Sequence, residues 1–331
     1  MTASEPISIV TGGAGFIGSH MVDLLLSLGH QVRVIDNLVG GRVNNLAAHK
    51  NNPKLVFEEK DILSVKANDA FFSSADYVFH FAGIGDIVPS IEHPSDYMKV
   101  NVQGTVAVLE AARNARIKRF VYSASSSCYG LANTPTDELS AINPEYPYAL
   151  SKYQGEQAAF HWAKVYGLPM NSVCIFNAYG TRSRTSGAYG AVFGVFLKQK
   201  LEGRPFTVVG DGTQSRDFVY VTDVARAFWA VAECSRVGER FNVGCGQPQT
   251  INRLVSLLEG EMENIPWRPG EPITTHADIS KITTVTDWLP LVSFEEGVGK
   301  ILSNIDYWKD APLWTPENIE QATDTWQKFM G

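Results

Sequence analysis

The sequence predicts an α/β fold, a doubly wound parallel sheet with a smaller mixed α/β domain beside it, on three observations. Short β-branched runs alternate with amphipathic stretches through the first half, a glycine-rich turn joins the first run to the first amphipathic stretch, and the alternation fails after Phe176. The strand-like runs are 7–10, 31–36, 55–58, 77–81, 119–123 and 170–176, with helical segments such as 16–28 and 101–114 between them. This βαβα order implies a parallel sheet covered by helices on both faces. Beyond Phe176, Gly and Arg punctuate 180–190, a helix is expected from about 191 to 202, and strand-like 206–209 meets the turn Gly210-Asp211-Gly212. The strand-like segment 241–243 is expected to rejoin the sheet. The larger domain is therefore expected to hold 1–179 with a return of 218–249, and the smaller one 180–217 and 250–331. No repeat, low-complexity tract or flexible linker interrupts this plan.

Composition narrows the function. With 28 Lys+Arg against 35 Asp+Glu the net charge is −7, the wrong balance for coating nucleic acid or an anionic membrane. A hydrophobic fraction of 44% with 19% charged residues builds a core and rules out disorder. Apolar runs break well short of the roughly 20 residues a membrane span needs, and residues 1–8 have no basic residue to open a signal peptide. The expectation is a cytoplasmic protein. Cys128, Cys174, Cys234 and Cys245 form neither a CxxC nor a Cys/His spacing, so they read as reduced packing residues, with no metal expected.

Directly after the first strand stands Thr11-Gly12-Gly13-Ala14-Gly15-Phe16-Ile17-Gly18, a GxxGxxG spacing that opens a helix. Glycines there permit a tight turn and close backbone approach, so that a pyrophosphate rests on the free N–H groups and dipole of the helix N-terminus. Three glycines alone could be a bare turn. Their place between strand and helix, with Asp36 ending the second strand at the distance where an acid meets the adenosine ribose, favours a dinucleotide and a Rossmann-type half. Asp36 repels a 2′-phosphate, and Asn37 follows it where an arginine would receive one, so NAD is preferred to NADP. Asp61 and Ile62 after the third strand are candidates for adenine contact, an ordinary helix cap being the bland alternative.

Tyr148 and Lys152 in Tyr148-Ala149-Leu150-Ser151-Lys152 stand at i and i+4, on one face of a helix. Such a pair is common on surfaces. Upstream, however, Ser123-Ala124-Ser125-Ser126-Ser127-Cys128-Tyr129-Gly130 ends the predicted fifth strand, where a doubly wound sheet opens its ligand crevice.

With these motifs the chain resembles the extended short-chain dehydrogenase/reductase superfamily, and within it the nucleotide-sugar epimerases and dehydratases. The resemblance runs from TGGAGFIGSH at Thr11 through DNL at Asp36, HFAG at His80, NVQGT at Asn101, SASSSCYG at Ser123, PYALSK at Pro147 and FNAYGTR at Phe176. It continues with GDGTQSRDFVYVTD at Gly210, FNVG at Phe241, RPGE at Arg268 and ADISK at Ala277. It implies that Ser125 is the catalytic Ser/Thr, Tyr148 the acid/base, and Lys152 the group that holds the nicotinamide ribose. The cofactor-binding set it implies is Gly12, Gly15, Phe16, Ile17, Gly18, Asp36, Asn37, Asp61, Ile62, Phe81, Ala82 and Gly83, together with Tyr148 and Lys152. On the substrate side it implies Arg216 and Arg268 on a diphosphate, Asn177 on the diphosphate or sugar, and Glu271 on the nucleoside ribose. Ser125 and Tyr148 also face the sugar, and Thr275, seven residues after Arg268, flanks its C2 substituent. His80 reads as a strand residue packed near the cofactor that does not take the proton. The family's usual arginine before FN is replaced by Val173-Cys174-Ile175, and Thr181 stands where proline is common.

The chemistry needs these residue types. A tyrosine of pKa about 10 becomes a base near neutrality only with roughly 4 kcal/mol of preferential phenolate stabilisation, which Lys152 and the positive nicotinamide ring can supply. Relatives that dehydrate or decarboxylate resemble one another in a carboxyl group just after the catalytic Ser/Thr, where this chain has Ser126 and Ser127. Cys128 lies one residue nearer the YG pair than the catalytic cysteine of 3,5-epimerases and reads as packing. The expected activity is NAD-dependent C4 epimerisation of a UDP-sugar through a 4-keto intermediate. The alternatives are another C4-oxidising sugar modifier (4,6-dehydratase, decarboxylase or reductase) or a non-catalytic NAD-binding regulatory protein. A homodimer, through the helix that carries Tyr148 and the one from about Asn101, is expected by resemblance.

Overall fold

The computed structural model describes residues 5–184, 191–268 and 270–330. The first half contributes β1 (Ile7–Thr11), α1 (Phe16–Ser27), β2 (Gln31–Asp36), β3 (Leu55–Glu59) and β4 (Tyr77–His80). Next come α2 (Ile87–Glu92), α3 (Pro94–Met98), α4 (Thr105–Ala115), β5 (Arg119–Ser125), α5 (Pro147–Tyr166) and β6 (Met170–Ile175). The second half adds β7 (Asn177–Tyr179), α6 (Val192–Leu201), β8 (Phe206–Val209), β9 (Ser215–Arg216), β10 (Phe218–Tyr220) and α7 (Val221–Glu233). Last are β11 (Arg240–Val243), β12 (Gln249–Thr250), α8 (Ile251–Leu258), β13 (Met262–Ile265), α9 (Ser280–Thr286), α10 (Phe294–Leu302) and α11 (Pro316–Met330). The segment expected to be punctuated at 180–190 is described to Arg184, and 185–190 lie outside the described residues.

Seven parallel strands form the central sheet in the order β11-β6-β5-β4-β1-β2-β3. Buried on both faces, they can be apolar without alternation: Ile9, Val10, Val78, Phe79, Phe120 and Val121 are all inaccessible. The strand expected at 241–243 does rejoin the sheet, with Phe241 beside Val173. Helices α1 and α7 cover one face, and α4 and α5 the other. The connections reverse between β1 and β4, which opens the ligand crevice of a doubly wound sheet at the carboxyl ends of those strands. A second core gathers Phe196, Phe206, Leu254, Leu258 and Trp308 away from the sheet.

Two expected elements differ in informative ways. The helix expected to start at Asn101 begins instead at Pro94 and passes through a π-type turn, Lys99–Gly104, before α4. Asn101 sits in that turn because its side chain is fastened elsewhere. Its amide accepts from Ile84 N (2.9 Å) and donates to Ile84 O (3.0 Å) and Ser151 Oγ (2.9 Å). The run 170–176 splits after Ile175, since β7 leaves the sheet to pair with β10.

Candidate active site

At the end of β1 the chain turns through Gly12, whose φ of +69° and closeness to the backbone of Ala82 exclude a side chain; a Cβ there would lie 2.7 Å from Ala82 N. Gly15 caps α1 without a side-chain hydrogen bond, so the first-turn N–H groups of α1, including those of Phe16, Ile17 and Gly18, have no side-chain cap. Asp36 is buried at the edge of this cradle and accepts from Ala14 N (3.0 Å) and Leu38 N (2.8 Å). Burial pushes its carboxyl up, and the two backbone donors work against that. A Cβ on Gly41 would meet the carboxylate at 2.8 Å, so the cradle stays open by lacking side chains. These residues fit a dinucleotide. Asp61 caps the turn Ile62–Ser64 through Leu63 N (2.8 Å) and also accepts from Asn37 Nδ2 (3.1 Å). Ile62 buries its side chain against the Gly104 turn, and Phe81, partly buried, packs at a tilt against Phe228 with ring centres 4.5 Å apart.

The two strands at the reversal are tied by His80. Thr105 donates its one hydroxyl proton to Asn101 O (2.7 Å), so His80 Nε2 must donate to Thr105 Oγ1 (3.0 Å) and His80 Nδ1 accepts from Thr11 Oγ1 (2.7 Å). Burial, with Lys152 adding to it, pushes the imidazole down to about 3. A neutral ring with both nitrogens engaged holds β1 to β4 and has no proton to exchange near neutral pH.

Helix α5 starts with Pro147 in its first turn, ends at Gly167 with φ +68°, and carries Tyr148, Lys152 and Glu156 at successive fourth positions on one face. Ser125 Oγ accepts from Ser127 N (3.3 Å), capping the single turn Ser126–Tyr129, with its hydroxyl near enough to the Tyr148 phenol to favour the phenolate. Burial pushes the phenol above its ordinary value, Ser125 draws it back, and the Asp86 carboxylate pushes it up again. Lys152 lies 4.8 Å from the Tyr122 ring centre, and a Cβ on Gly83 would lie 3.9 Å from Nζ. Burial brings Lys152 down to about 8, against the opposing pull of Glu156. Glu156 is fully buried, accepts from Ser172 Oγ (2.5 Å) and is gripped through both oxygens by Arg240 from β11. Ser125, Tyr148 and Lys152 thus converge beside Gly83, next to the glycine cradle.

Further side chains around this centre had no role in the sequence reading. The Tyr146 ring stacks with Tyr148 (6.4 Å) and meets Trp326 of the C-terminal helix α11 (5.9 Å), so the end of the chain packs at the reaction centre. Glu156 extends the visible Tyr148–Lys152 spacing and was detectable; Trp326 carries no sequence signal linking it to a tyrosine 180 positions earlier. Asp86 is equally silent in sequence.

On the substrate side, Arg216 Nη2 donates to Glu271 Oε1 at 2.7 Å, and Arg268 Nε stands 3.6 Å from the other carboxylate oxygen. Three residues named from the sequence therefore form one cluster. Thr275 Oγ1 donates to Asn177 Oδ1 (2.6 Å) and accepts from Asp217 N (3.1 Å), a bond pair that joins two more. A crevice lined by Ser126, Tyr129, Phe176 and Thr275 connects this group to the reaction loop. Arg182 and Arg184 pair instead with Asp23 and Asp86. All four cysteines are free, and Cys128 is buried as packing requires. Among the described residues no group of His, Cys, Asp or Glu is arranged to hold a metal ion, and no helix is long and apolar enough to cross a membrane.

Comparison with known proteins places this geometry among others like it. The model of the NAD dependent epimerase/dehydratase family matches residues 8–244. A putative UDP-glucose 4-epimerase of Methanocaldococcus jannaschii is 34% identical over 304 residues, covering 89% of this chain and 97% of the relative. The UDP-N-acetylglucosamine 4-epimerase of Methanobrevibacter ruminantium, solved with UDP-N-acetylmuramic acid, is 33% identical with a TM-score of 0.85, covering 91% of this chain and 99% of that one. The UDP-glucuronic acid 4-epimerase of Bacillus cereus, solved with UDP-glucuronic acid and NAD, is 31% identical with a TM-score of 0.85 and the same coverage, 91% and 99%. Similarity at this level extends to dehydratases: the dTDP-glucose 4,6-dehydratase of Streptomyces niveus is 30% identical, covering 92% of this chain and 94% of the relative.

Proposed function

Because the chain belongs to the NAD-dependent epimerase/dehydratase family, we propose that it is a nucleotide-sugar 4-epimerase, acting on a UDP-sugar through a transient 4-keto intermediate. The observation that carries this reading is the convergence of Ser125, Tyr148 and Lys152 beside the glycine cradle, on a reaction loop whose next residues, Ser126 and Ser127, bear no carboxyl group. Bound in the cradle, NAD would supply the hydride acceptor for sugar C4 and, reduced, the hydride donor for the opposite face. Asp36 holds the adenosine ribose and Lys152 the nicotinamide ribose. Tyr148, as phenolate, takes the proton of the C4 hydroxyl, and Ser125 bridges phenol and sugar oxygen. Arg216 and Arg268 grip the diphosphate, Asn177 hydrogen-bonds it or the sugar, and Glu271 holds the nucleoside ribose. Glu271 takes one N–H of Arg216 Nη2, and the Ser215 and Ile273 carbonyls take those of Nη1, so Nε–H and the second Nη2 N–H are the donors left for phosphate oxygens.

Asp86 favours a second reading. Its backbone carbonyl accepts from Tyr97, whose ring stands edge-on to Tyr148 (6.4 Å), so a carboxyl group lies near the reaction centre although none follows Ser125. Its engagement by Arg184 ranks this reading below epimerisation.

The separate sheet and satellite cores support a division into a larger domain, 1–179 with 218–249, and a smaller one, 180–217 and 250–331, although Tyr179, Phe218, Tyr220 and Val221 pack into the satellite core and Ile282 and Trp288 into the sheet core. Exposed Leu150, Val165 and Tyr166 on α5 support a homodimer through α4 and α5, and the composition supports a cytoplasmic location.

The test is incubation of the purified protein with UDP-, GDP-, CDP- and dTDP-sugars, with products identified by NMR. A C4 epimer formed with NAD fully recycled is the expected result. A 4-keto-6-deoxy sugar, a pentose product, or NAD consumed in proportion to turnover would replace epimerisation by dehydration, decarboxylation or net oxidation.

A further inference from the structure

Asp86 follows β4 at its carboxyl end and opens α2, while Arg184 follows β7 at its carboxyl end. Their side chains form an ion pair and are still 27% and 38% exposed, so the pair meets solvent and is not sealed in the core. The Tyr97 hydroxyl donates to Asp86 O at 2.6 Å, and the Tyr97 ring stands edge-on to Tyr148 with centres 6.4 Å apart. Asp86 therefore stands one aromatic ring away from Tyr148. Across the reaction loop, the crevice lined by Ser126, Tyr129, Thr134, Thr136 and Thr275 offers hydroxyls and no charge. A sugar with C4 at Tyr148 thus meets neutral donors on one side, and on the other a carboxylate that already occupies the neighbouring guanidinium.

We propose that Asp86, by occupying Arg184, is a specificity-determining residue that closes this site to sugars carrying a 6-carboxylate and keeps it open to neutral hexoses. The inference rests on the UDP-sugar 4-epimerase reading above. C6 is two bonds from C4, so a carboxylate there falls in the same neighbourhood as Asp86. It would meet a like charge and find its natural partner, Arg184, taken; a hydroxymethyl group suffers neither effect. The fold itself does not decide the matter, since a protein of TM-score 0.85 to this chain is solved with UDP-glucuronic acid.

The NAD-loaded wild type, Asp86→Asn and Asp86→Glu are compared by kcat/KM for UDP-glucose and UDP-glucuronate, and by calorimetric Kd for both. The wild type should prefer UDP-glucose. Asp86→Asn, which removes the like charge and releases Arg184, should raise the glucuronate-to-glucose ratio by about tenfold or more, and Asp86→Glu should restore the wild-type ratio. A ratio unchanged in a folded Asp86→Asn protein, or a wild type that prefers UDP-glucuronate, overturns the proposal while leaving epimerisation standing. If neither sugar turns over, the Kd ratio decides on Asp86 by the same criterion while the wider sugar panel decides on epimerisation; binding of neither overturns the proposal.

Discussion

At the reaction end of the cleft Lys152 is 8% exposed, and the acid one turn along, Glu156, is fully buried and already held by Arg240 and Ser172. At the substrate end Arg216, Arg268 and Glu271 are 11%, 16% and 26% exposed and hold one another. The first arrangement fixes charge where water cannot relax it, so small changes in surroundings move ionisation. The second keeps cations paired yet reachable, so an arriving diphosphate can share or exchange partners without leaving a bare charge behind. Chemistry and grip are thus built from similar residues under different solvation.

The division between chemistry and grip is most exposed at Tyr148. Tyr148→Phe removes the proton carrier without altering the helix, and should lower kcat by about 10²- to 10⁴-fold or more while bound NAD, measured after denaturing release, stays at wild-type stoichiometry. Ser125→Ala should lower kcat less, because the phenol survives. Near-normal turnover by the Phe variant would remove Tyr148 from the mechanism. The substrate end should respond in the other parameter. Arg216→Met is expected to raise KM by about 10- to 100-fold with a much smaller change in kcat, since it loosens ground state and transition state together. A fall confined to kcat would place Arg216 in the reaction and undo the division drawn above.

The low solvation of the reaction end also makes its rate depend on pH. Burial brings Lys152 down to about 8, so its ammonium is present below that pH and lost as pH rises through it. If Tyr148 needs that ammonium to hold its phenolate, kcat/KM should fall on an alkaline limb near pH 8. Glu156 supports the charged form of Lys152, so Glu156→Gln should carry the limb to lower pH. The same substitution breaks a buried pair and should cost stability of about 3–5 kcal/mol, read by denaturant unfolding. A limb that stays in place in the variant would disconnect Glu156 from the reaction centre and leave it a purely structural anchor between α5 and β11.

What sequence could foretell follows the range of the interactions. Ser125, Tyr148 and Lys152 were legible because a strand end and a helical spacing of four translate directly into position, and Asp36 because a strand places it at a fixed distance from the glycine turn. The parallel, doubly wound sheet followed from βαβ alternation, and its strand order came only with the structure. Asp86 with Arg184, 98 residues apart, and Tyr146 with Trp326, 180 apart, depend on how loops from separate halves meet, which no local period encodes. The π-type turn at Asn101 was hidden for a related reason: its cause is a side chain bonded to Ile84 and Ser151, not a helix-breaking residue in the run itself.

The last and smallest expected effect concerns substrate width at Thr275. Its side chain is small, and it borders the hydroxyl-lined crevice beside Ser126, so an added 2-acetamido group should be tolerated and UDP-N-acetylglucosamine should be a substrate alongside UDP-glucose. Thr275 has a second role, however, since its hydroxyl orients Asn177 and accepts from Asp217 N. Thr275→Tyr alone therefore mixes added bulk with two lost hydrogen bonds. Thr275→Val separates them, because it removes the hydroxyl at nearly constant volume. If width is the gate, Tyr should lower kcat/KM for UDP-N-acetylglucosamine relative to UDP-glucose by roughly tenfold or more, while Val lowers both by a similar few-fold factor. Equal shifts of the ratio in both variants would assign the effect to Asn177 orientation, and an unmoved ratio in the Tyr variant would show that another residue closes the gap.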